Sequence, residues 1–124
     1  MPKSILIVED SDTSRKVSRS LVESQPDMEV CGEASDGLDG IEKAKALKPD
    51  VVLLGVALPQ VNGVEAASII KREIPETRIV MFTTRDKSLG GEPLSSIIGV
   101  DAVLTKPEAG WKMIDCLRSV LQAA

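Results

Sequence analysis

The chain has 124 residues, the size of one ordinary domain, and 43% of them are apolar, which is enough to bury a hydrophobic core. Its formal net charge of −4 argues against a general nucleic-acid-binding face, and the absence of histidine excludes histidine-based catalysis and a histidine-containing zinc site. Cys31 and Cys116 stand far apart and form no CxxC pair, so two reduced core thiols are expected.

The chain begins with a predicted strand followed by a predicted helix. Residues 4–8 form an apolar run of strand length. This run is too short for the core of a signal peptide or for a membrane span, so we expect no membrane segment and a cytoplasmic location. Residues 12–24 predict a helix with Ser11 or Asp12 as its N-cap. We expect its inner face to carry Val17, Leu21 and Val22, and a solvated face to carry Arg15, Lys16 and Arg19.

The middle of the chain repeats this pattern twice. Residues 28–34 alternate as a strand near the edge of a sheet does, and residues 51–54 form the continuous apolar run of a strand buried on both faces. Helices are predicted at residues 38–47 and 64–74, each ending before a proline. The apolar positions that we expect to face inward are Leu38, Ile41, Ala44, Leu47, Val64, Ala67, Ile70 and Ile74.

The last third of the chain carries two further predicted strands, at residues 78–82 and 102–105. Residues 83–93 contain two adjacent glycines and a proline, which predicts a loop, and residues 94–98 can support only a short helix. The apolar positions that define the last helix are Met113, Leu117, Val120 and Leu121.

Five strands that alternate with five helices predict parallel βαβ units within one domain over residues 1–124. We therefore expect an α/β fold, a flavodoxin-like (βα)5 doubly wound sheet with strand order 2-1-3-4-5, whose functional site lies at the carboxyl ends of the strands. The residues at these ends are Glu9, Asp10, Gly55, Thr83 and Lys106. Two carboxylates, a hydroxyl and an ammonium group on one rim are the parts of an Mg²⁺ site with a clamp for a phosphoryl group.

Four segments give this chain a resemblance to a known family, the receiver domains of two-component response regulators (CheY-like). They are ILIVEDSD, PDVVLLGVALPQVNGVEAA, IVMFTT and DAVLTKP, which occur in the order and at the spacing usual in that family. The resemblance implies that Glu9 and Asp10 form the metal-binding acidic pair. It also implies that the backbone carbonyl of Ala57 is a further ligand of the metal. It also implies that Thr83 and Lys106 hold the equatorial oxygens of a phosphoryl group.

The chain departs from the family pattern at two positions. Gly55 stands where the family has the aspartate that becomes phosphorylated, and glycine offers no nucleophile for an acyl phosphate. The loss of that aspartate also removes a metal ligand, so we expect Mg²⁺ to bind weakly if it binds at all. Val103 stands at the position of the aromatic residue that reads out phosphorylation. Without the acceptor, we expect Lys106 to pair permanently with Glu9 or Asp10.

These departures favour a pseudo-receiver that is not an enzyme and that works by binding proteins, such as a histidine kinase, a phosphotransfer protein or an output protein. A homodimer is also compatible with the resemblance, since Trp111 borders the face that the family uses for output and dimer contacts. One alternative is a conventional phosphorylated receiver whose acceptor has been replaced artificially. Another is a flavodoxin-like cofactor binder, which the acidic loop after the first strand disfavours. We expect no cofactor other than Mg²⁺ and no nucleic-acid binding by this domain.

One part of the resemblance concerns what such domains are joined to. The segments around residues 30–42 and 64–67 are most similar to the receivers that carry a C-terminal helix-turn-helix domain. Because the sequence ends at its last predicted helix, we expect no such output domain in this chain.

Overall fold

The computed structural model describes residues 2–56, 58–83, 88–89, 92–93, 99–105 and 110–122. The strands of the chain are β1 (Lys3–Val8), β2 (Met28–Ala34), β3 (Val51–Gly55), β4 (Arg78–Thr83), β5 (Ser88–Leu89), β6 (Glu92–Pro93) and β7 (Ala102–Thr105). The helices among the described residues are α1 (Asp12–Glu23), α2 (Gly37–Leu47), α3 (Gly63–Glu73) and α4 (Gly110–Gln122).

Five of the strands form one parallel sheet in the order β2-β1-β3-β4-β7. Since β7 is the fifth strand of this sheet along the chain, the predicted order 2-1-3-4-5 is confirmed. In the ladder Val8 pairs with Leu54, Gly55 with Phe82, and Thr83 with Thr105. The carboxyl ends of these strands therefore meet at one edge of the sheet, as the sequence predicts.

The sheet is covered on both faces because alternate residues of each strand point to opposite sides. On one face, helices α2 and α3 pack against a cluster that includes Leu6, Val8, Val52, Leu54, Ile79, Met81, Ile41, Ala44, Ala67 and Ile70. On the other face, α1 and α4 pack against a cluster that includes Ile5, Ile7, Val51, Leu53, Val80, Val22, Met113, Ile114, Leu117 and Val120. This two-sided core explains why the strands read as continuous apolar runs.

The helices begin and end at residues that suit these positions. The side chains of Ser11, Asp36 and Asn62 accept hydrogen bonds from the backbone N–H groups three residues further on, at 3.2, 2.7 and 2.9 Å. Each thereby satisfies a donor that a helix N-terminus leaves unpaired. Helix α2 ends at Leu47, and the next residue, Lys48, caps it with a left-handed φ of 46°. Of the two predicted caps for α1, the structure selects Ser11.

Several sequence-based predictions about individual segments are wrong. Residues 83–93, predicted as a loop, contain an antiparallel hairpin of β5 and β6. Three apolar residues predicted to face inward are exposed: Val17 by 54%, Leu38 by 50% and Leu47 by 45%. The cysteines are unbridged, as predicted, but half-buried rather than in the core. The predicted short helix at residues 94–98 lies outside the described residues.

None of the described helices has both the length and the apolar character that a crossing of the bilayer would require.

Candidate functional site

Strands β1 and β3 bring Glu9 and Gly55 together at the edge of the sheet. Ile7 pairs with Leu53 and Val8 with Leu54, so the next residue of β3, Gly55, lies beside the residue that follows β1. The backbone at Glu9 is fixed on both sides. Its N–H donates to the carbonyl oxygen of Ala34 at 3.0 Å, and its carbonyl oxygen accepts from Nη1 of Arg15 at 2.6 Å. The period of two along a strand directs both positions toward the α1 face of the sheet.

The carboxylate of Glu9 lies directly over Gly55. A Cβ atom on Gly55 would stand 2.8 Å from Oε2 of Glu9 and 3.4 Å from Cδ2 of Leu58. The other oxygen, Oε1, accepts from the backbone N–H of Ser11 at 3.4 Å. Glu9 is only 8% exposed, which is unusual for a glutamate. A side chain at residue 55 would therefore begin in close contact with the carboxylate of Glu9, which would have to shift.

Beneath Glu9 and Gly55 lies a cavity of ≈ 10 Å³. Its walls are formed by Ile7, Val8, Glu9, Ser14, Ser18, Leu53, Gly55 and Phe82. A cavity of this volume has room for about one water molecule. Neither a phosphoryl group nor an organic cofactor fits into it.

The loop after β3 folds tightly back onto Gly55. The N–H of Gly63 donates to the carbonyl oxygen of Val56 at 2.8 Å, and the N–H of Val56 donates to the carbonyl oxygen of Phe82 at 3.2 Å. A Cβ atom on Gly63 would overlap the carbonyl oxygen of Gly55. The start of α3 is therefore held against the end of β3 by backbone contacts that only glycine permits.

The described residues fit an Mg²⁺ ion poorly. Glu9 turns its carboxylate toward Gly55, the neighbouring Asp10 is exposed, and Gly55 supplies no third oxygen from a side chain. Within the described ranges, no three acidic, histidine or cysteine side chains are grouped so that they could hold a metal ion. Mg²⁺ prefers several oxygen ligands in near-octahedral geometry, usually with one or two carboxylates among them. Ala57, whose carbonyl was predicted as a further ligand, lies outside the described residues.

The structure describes the other predicted site residues only in part. The structure places Thr83 at the end of β4, beside Thr105, but its side chain lies outside the described part of the molecule. Lys106 also lies outside it, so its pairing with Glu9 or Asp10 stays a prediction. Val103, predicted at the readout position, is half-buried against the cluster beneath α2 and α3. Trp111 is the second residue of α4, and its side chain lies outside the described part of the molecule.

The basic positions of α1 do not form a solvated face as predicted. Nε of Arg15 lies 3.5 Å from a carboxylate oxygen of Glu33 on β2, and Arg19 also pairs with Glu33. Arg19 donates a hydrogen bond to the carboxylate of Glu33, which holds the pKa of Arg19 above its ordinary value. Of the three, Lys16 is exposed, whereas Arg15 and Arg19 are partly buried. The sequence analysis assigned no chemical role to β2. It therefore missed Glu33, whose ion pairs with Arg15 and Arg19 connect α1 to the sheet beside Glu9.

Comparison with protein families agrees with this fold. The family model described as "Response regulator receiver domain" matches residues 5–118. A protein-glutamate methylesterase/protein-glutamine glutaminase of Thermotoga maritima is 44% identical over 80 residues, which cover 64% of this chain and 23% of that protein. The response regulator protein VraR of Staphylococcus epidermidis is 34% identical over 120 residues, which cover 95% of this chain and 56% of that protein. The chain thus spans only part of these relatives.

Solved structures of similar proteins show the same architecture. The response regulator domain of Thermotoga maritima CheB is 29% identical, with a TM-score of 0.87 over 100% of this chain and 99% of that one. A DNA-binding response regulator of the LuxR family from Staphylococcus aureus is 25% identical, with a TM-score of 0.86 over 97% of this chain and 99% of that one.

Proposed function

Because the chain belongs to the response regulator receiver domain family, we propose that it is a pseudo-receiver. In this role it is a non-enzymatic signalling module that binds a protein partner without being phosphorylated on aspartate. The single observation that carries the proposal is the residue at the tip of β3. Gly55 offers no carboxylate at the position where the family forms its acyl phosphate, and the neighbouring space is filled by Glu9.

Weak metal binding follows from the same observation. Mg²⁺ prefers several oxygen ligands, so a site that lacks one carboxylate would hold the ion less firmly. In this proposal Mg²⁺ is not needed for the function of the chain. Glu9 and Asp10 would provide the side-chain ligands, with the carbonyl of Ala57 as a third, if an ion binds at all.

The proposed partners are proteins of a two-component pathway. The relatives with the same domain carry names of methylesterases and of response regulators, and this chain spans 23% and 56% of two of them. A histidine kinase, a phosphotransfer protein, an output domain or a second copy of the chain is therefore the class of partner expected, in the cytoplasm. Any contact with nucleic acid would belong to an output domain and not to this one.

Exposure to a small phosphodonor tests the proposal. The purified chain is incubated with Mg²⁺ and acetyl phosphate, and its intact mass is measured beside that of an unrelated phosphorylatable receiver as a positive control. We expect no mass increase of one phosphoryl group on this chain. A phosphoryl group that is lost in mild alkali, as acyl phosphates are, would overturn the proposal. So would an aspartate codon at position 55 of the natural gene.

A further inference from the structure

We propose that the cavity beneath Gly55 is a hydration site, in which the hydroxyl group of Ser18 on α1 binds one buried water molecule. The site lies between α1 and the sheet, and it is separate from the proposed pseudo-receiver function. Its ligand is a small neutral molecule that both donates and accepts hydrogen bonds.

Ser18 is a polar residue in the interior of the protein. It is only 5% exposed, and it forms part of the wall of the cavity. Among the described residues, the hydroxyl group of Ser18 has no hydrogen-bond partner. A buried hydroxyl without a partner costs free energy, and nearly all such groups in folded proteins are paired with protein atoms or with ordered water. A bound water molecule supplies the partner that the described part of the protein does not.

The cavity beside Ser18 has the size that this partner requires. Its volume is ≈ 10 Å³, and about this much space holds a single water molecule. The space exists because three residues with a small side chain or none lie in its wall between α1 and the sheet: Ser14, Ser18 and Gly55. Their side chains are too short to fill the interface, so a water molecule fits where a larger side chain would otherwise pack.

The wall also carries the further oxygen atoms that a buried water molecule needs. Such a molecule makes about three hydrogen bonds. The side chains of Ser14 and Glu9 line the cavity together with Ser18, and their oxygen atoms have several lone pairs each. The remaining wall side chains are apolar and belong to Ile7, Val8, Leu53 and Phe82. A metal cation requires more oxygen ligands than these three side chains offer, so the composition of the wall favours water.

The part of the wall around Ser18 is held firmly. Ile7 and Leu53 pair with each other in the ladder of β1 and β3, and they are only 1% and 2% exposed. Ser18 itself lies in the middle of α1, whose first turn is capped by Ser11. A shift of the Glu9 carboxylate would change one side of the cavity and would leave Ser18 buried between α1 and these strands. The hydration site therefore does not depend on the direction of that carboxylate.

A high-resolution crystal structure of the whole chain tests the assignment directly. In the wild type we expect one peak of water density within hydrogen-bonding distance of Oγ of Ser18. In Ser18→Val we expect this peak to be lost, because valine brings a second methyl group in place of the hydroxyl. A wild-type cavity without density, or a peak that persists unchanged in S18V, overturns the proposal.

Denaturant unfolding of Ser18→Ala tests it in solution, with Ser20→Ala as the matched control. Ser20 is exposed on the same helix, so both variants share the gain in helix propensity and differ in the buried hydroxyl. We expect the folding equilibrium constant of S18A to be about fivefold lower than that of S20A, since S18A loses one hydrogen bond to the water. Removing a hydroxyl that has no partner would instead stabilise the fold. An S18A variant as stable as S20A, or more stable, therefore overturns the proposal.

The same two variants distinguish water from a bound cation. Their unfolding is compared in sodium chloride, potassium chloride and choline chloride at equal ionic strength, because choline is too large for the cavity. We expect the difference between S18A and S20A to be the same in all three salts. A difference that disappears in choline chloride would identify a cation as the ligand and would overturn the assignment to water.

Discussion

The backbones of Gly55 and Gly63 are in direct contact, because the carbonyl oxygen of Gly55 lies where a side chain on Gly63 would begin. The same Cβ atom would stand 2.8 Å from Cα of Val56. Both obstacles are backbone atoms at the end of β3, and neither can rotate away as a side chain can. These contacts therefore fix the distance between the start of α3 and the tip of β3, and that distance sets the shape of the site.

We expect Gly63→Ala to destabilise the fold by at least about 3 kcal/mol, the upper range for an overpacked site, since helix and strand must separate to admit the methyl group. Denaturant unfolding measures this loss. Gly32→Ala is the matched control, because its Cβ would meet mainly the end of the exposed Leu47 side chain, at 3.0 Å. A G63A variant as stable as G32A would show that the loop yields.

The substitution Gly55→Ala sets two effects against each other. Replacing glycine by alanine at a compatible backbone stabilises by about 0.4–1 kcal/mol through the unfolded chain. The new methyl group, however, would lie 2.8 Å from Oε2 of Glu9, and overpacking costs about 1–3 kcal/mol. We expect a net loss of about 0.5–1 kcal/mol in the folding free energy of G55A, with the clash outweighing the entropy gain.

A double-mutant cycle with Glu9→Ala isolates that clash. In the E9A background the methyl group of G55A meets no carboxylate, so G55A should there be neutral or stabilising. Denaturant midpoints of the four proteins give the coupling free energy. Equal effects of G55A in both backgrounds would mean that Glu9 and Gly55 are independent.

The fold follows from sequence because its signals are local and repeated. Residues 4–8 and 51–54 predict strands that the structure places at Lys3–Val8 and Val51–Gly55, and the parallel order follows from the alternation of strands with helices. The errors come from the surface. Helical periodicity shows that Val17 and Leu38 belong to an apolar stripe, but which residues of a wide stripe are covered depends on how the helix sits on the sheet.

The site was predictable only in part, for a related reason. The positions of Glu9 and Gly55 at neighbouring strand ends follow from topology, and their common side of the sheet from the period of two. The direction of the Glu9 carboxylate depends on packing around one rotamer, which no sequence pattern specifies. The contact of Arg15 and Arg19 with Glu33 joins a helix to a strand across a loop, and no helical spacing predicts it.

Glu33 should stabilise the packing of α1 on β2. Its carboxylate pairs with both Arg15 and Arg19, and the side chain of Arg15 is only 16% exposed. We expect Glu33→Gln to cost about 1 kcal/mol, the upper end for a surface pair, since the mostly covered guanidinium of Arg15 loses one of its two carboxylate partners and keeps only Asp12. Denaturant unfolding at low and high salt checks this, and salt should shrink the difference.

The control for Glu33 is another partner of the same arginine. Glu23 lies 3.3 Å from Nε of Arg19 and is half exposed. We expect Glu23→Gln to change stability by no more than about 0.5 kcal/mol, as exposed pairs within a helix do. Equal losses in E23Q and E33Q would contradict a special role for Glu33.

The pair of Asp27 and Arg118 should make part of the stability depend on pH. Nε and Nη2 of Arg118 donate to the two carboxylate oxygens of Asp27 at 3.1 and 2.9 Å, which lowers the pKa of Asp27. Because the folded pKa lies below the unfolded one, the contribution is complete above the unfolded pKa and disappears as pH falls through the folded one. Asp27→Asn should therefore be less stable than wild type at neutral pH and equally stable in strong acid. Urea midpoints across this range measure the difference, with the exposed Glu76→Gln as control; a gap between D27N and wild type that persists in strong acid would contradict this origin.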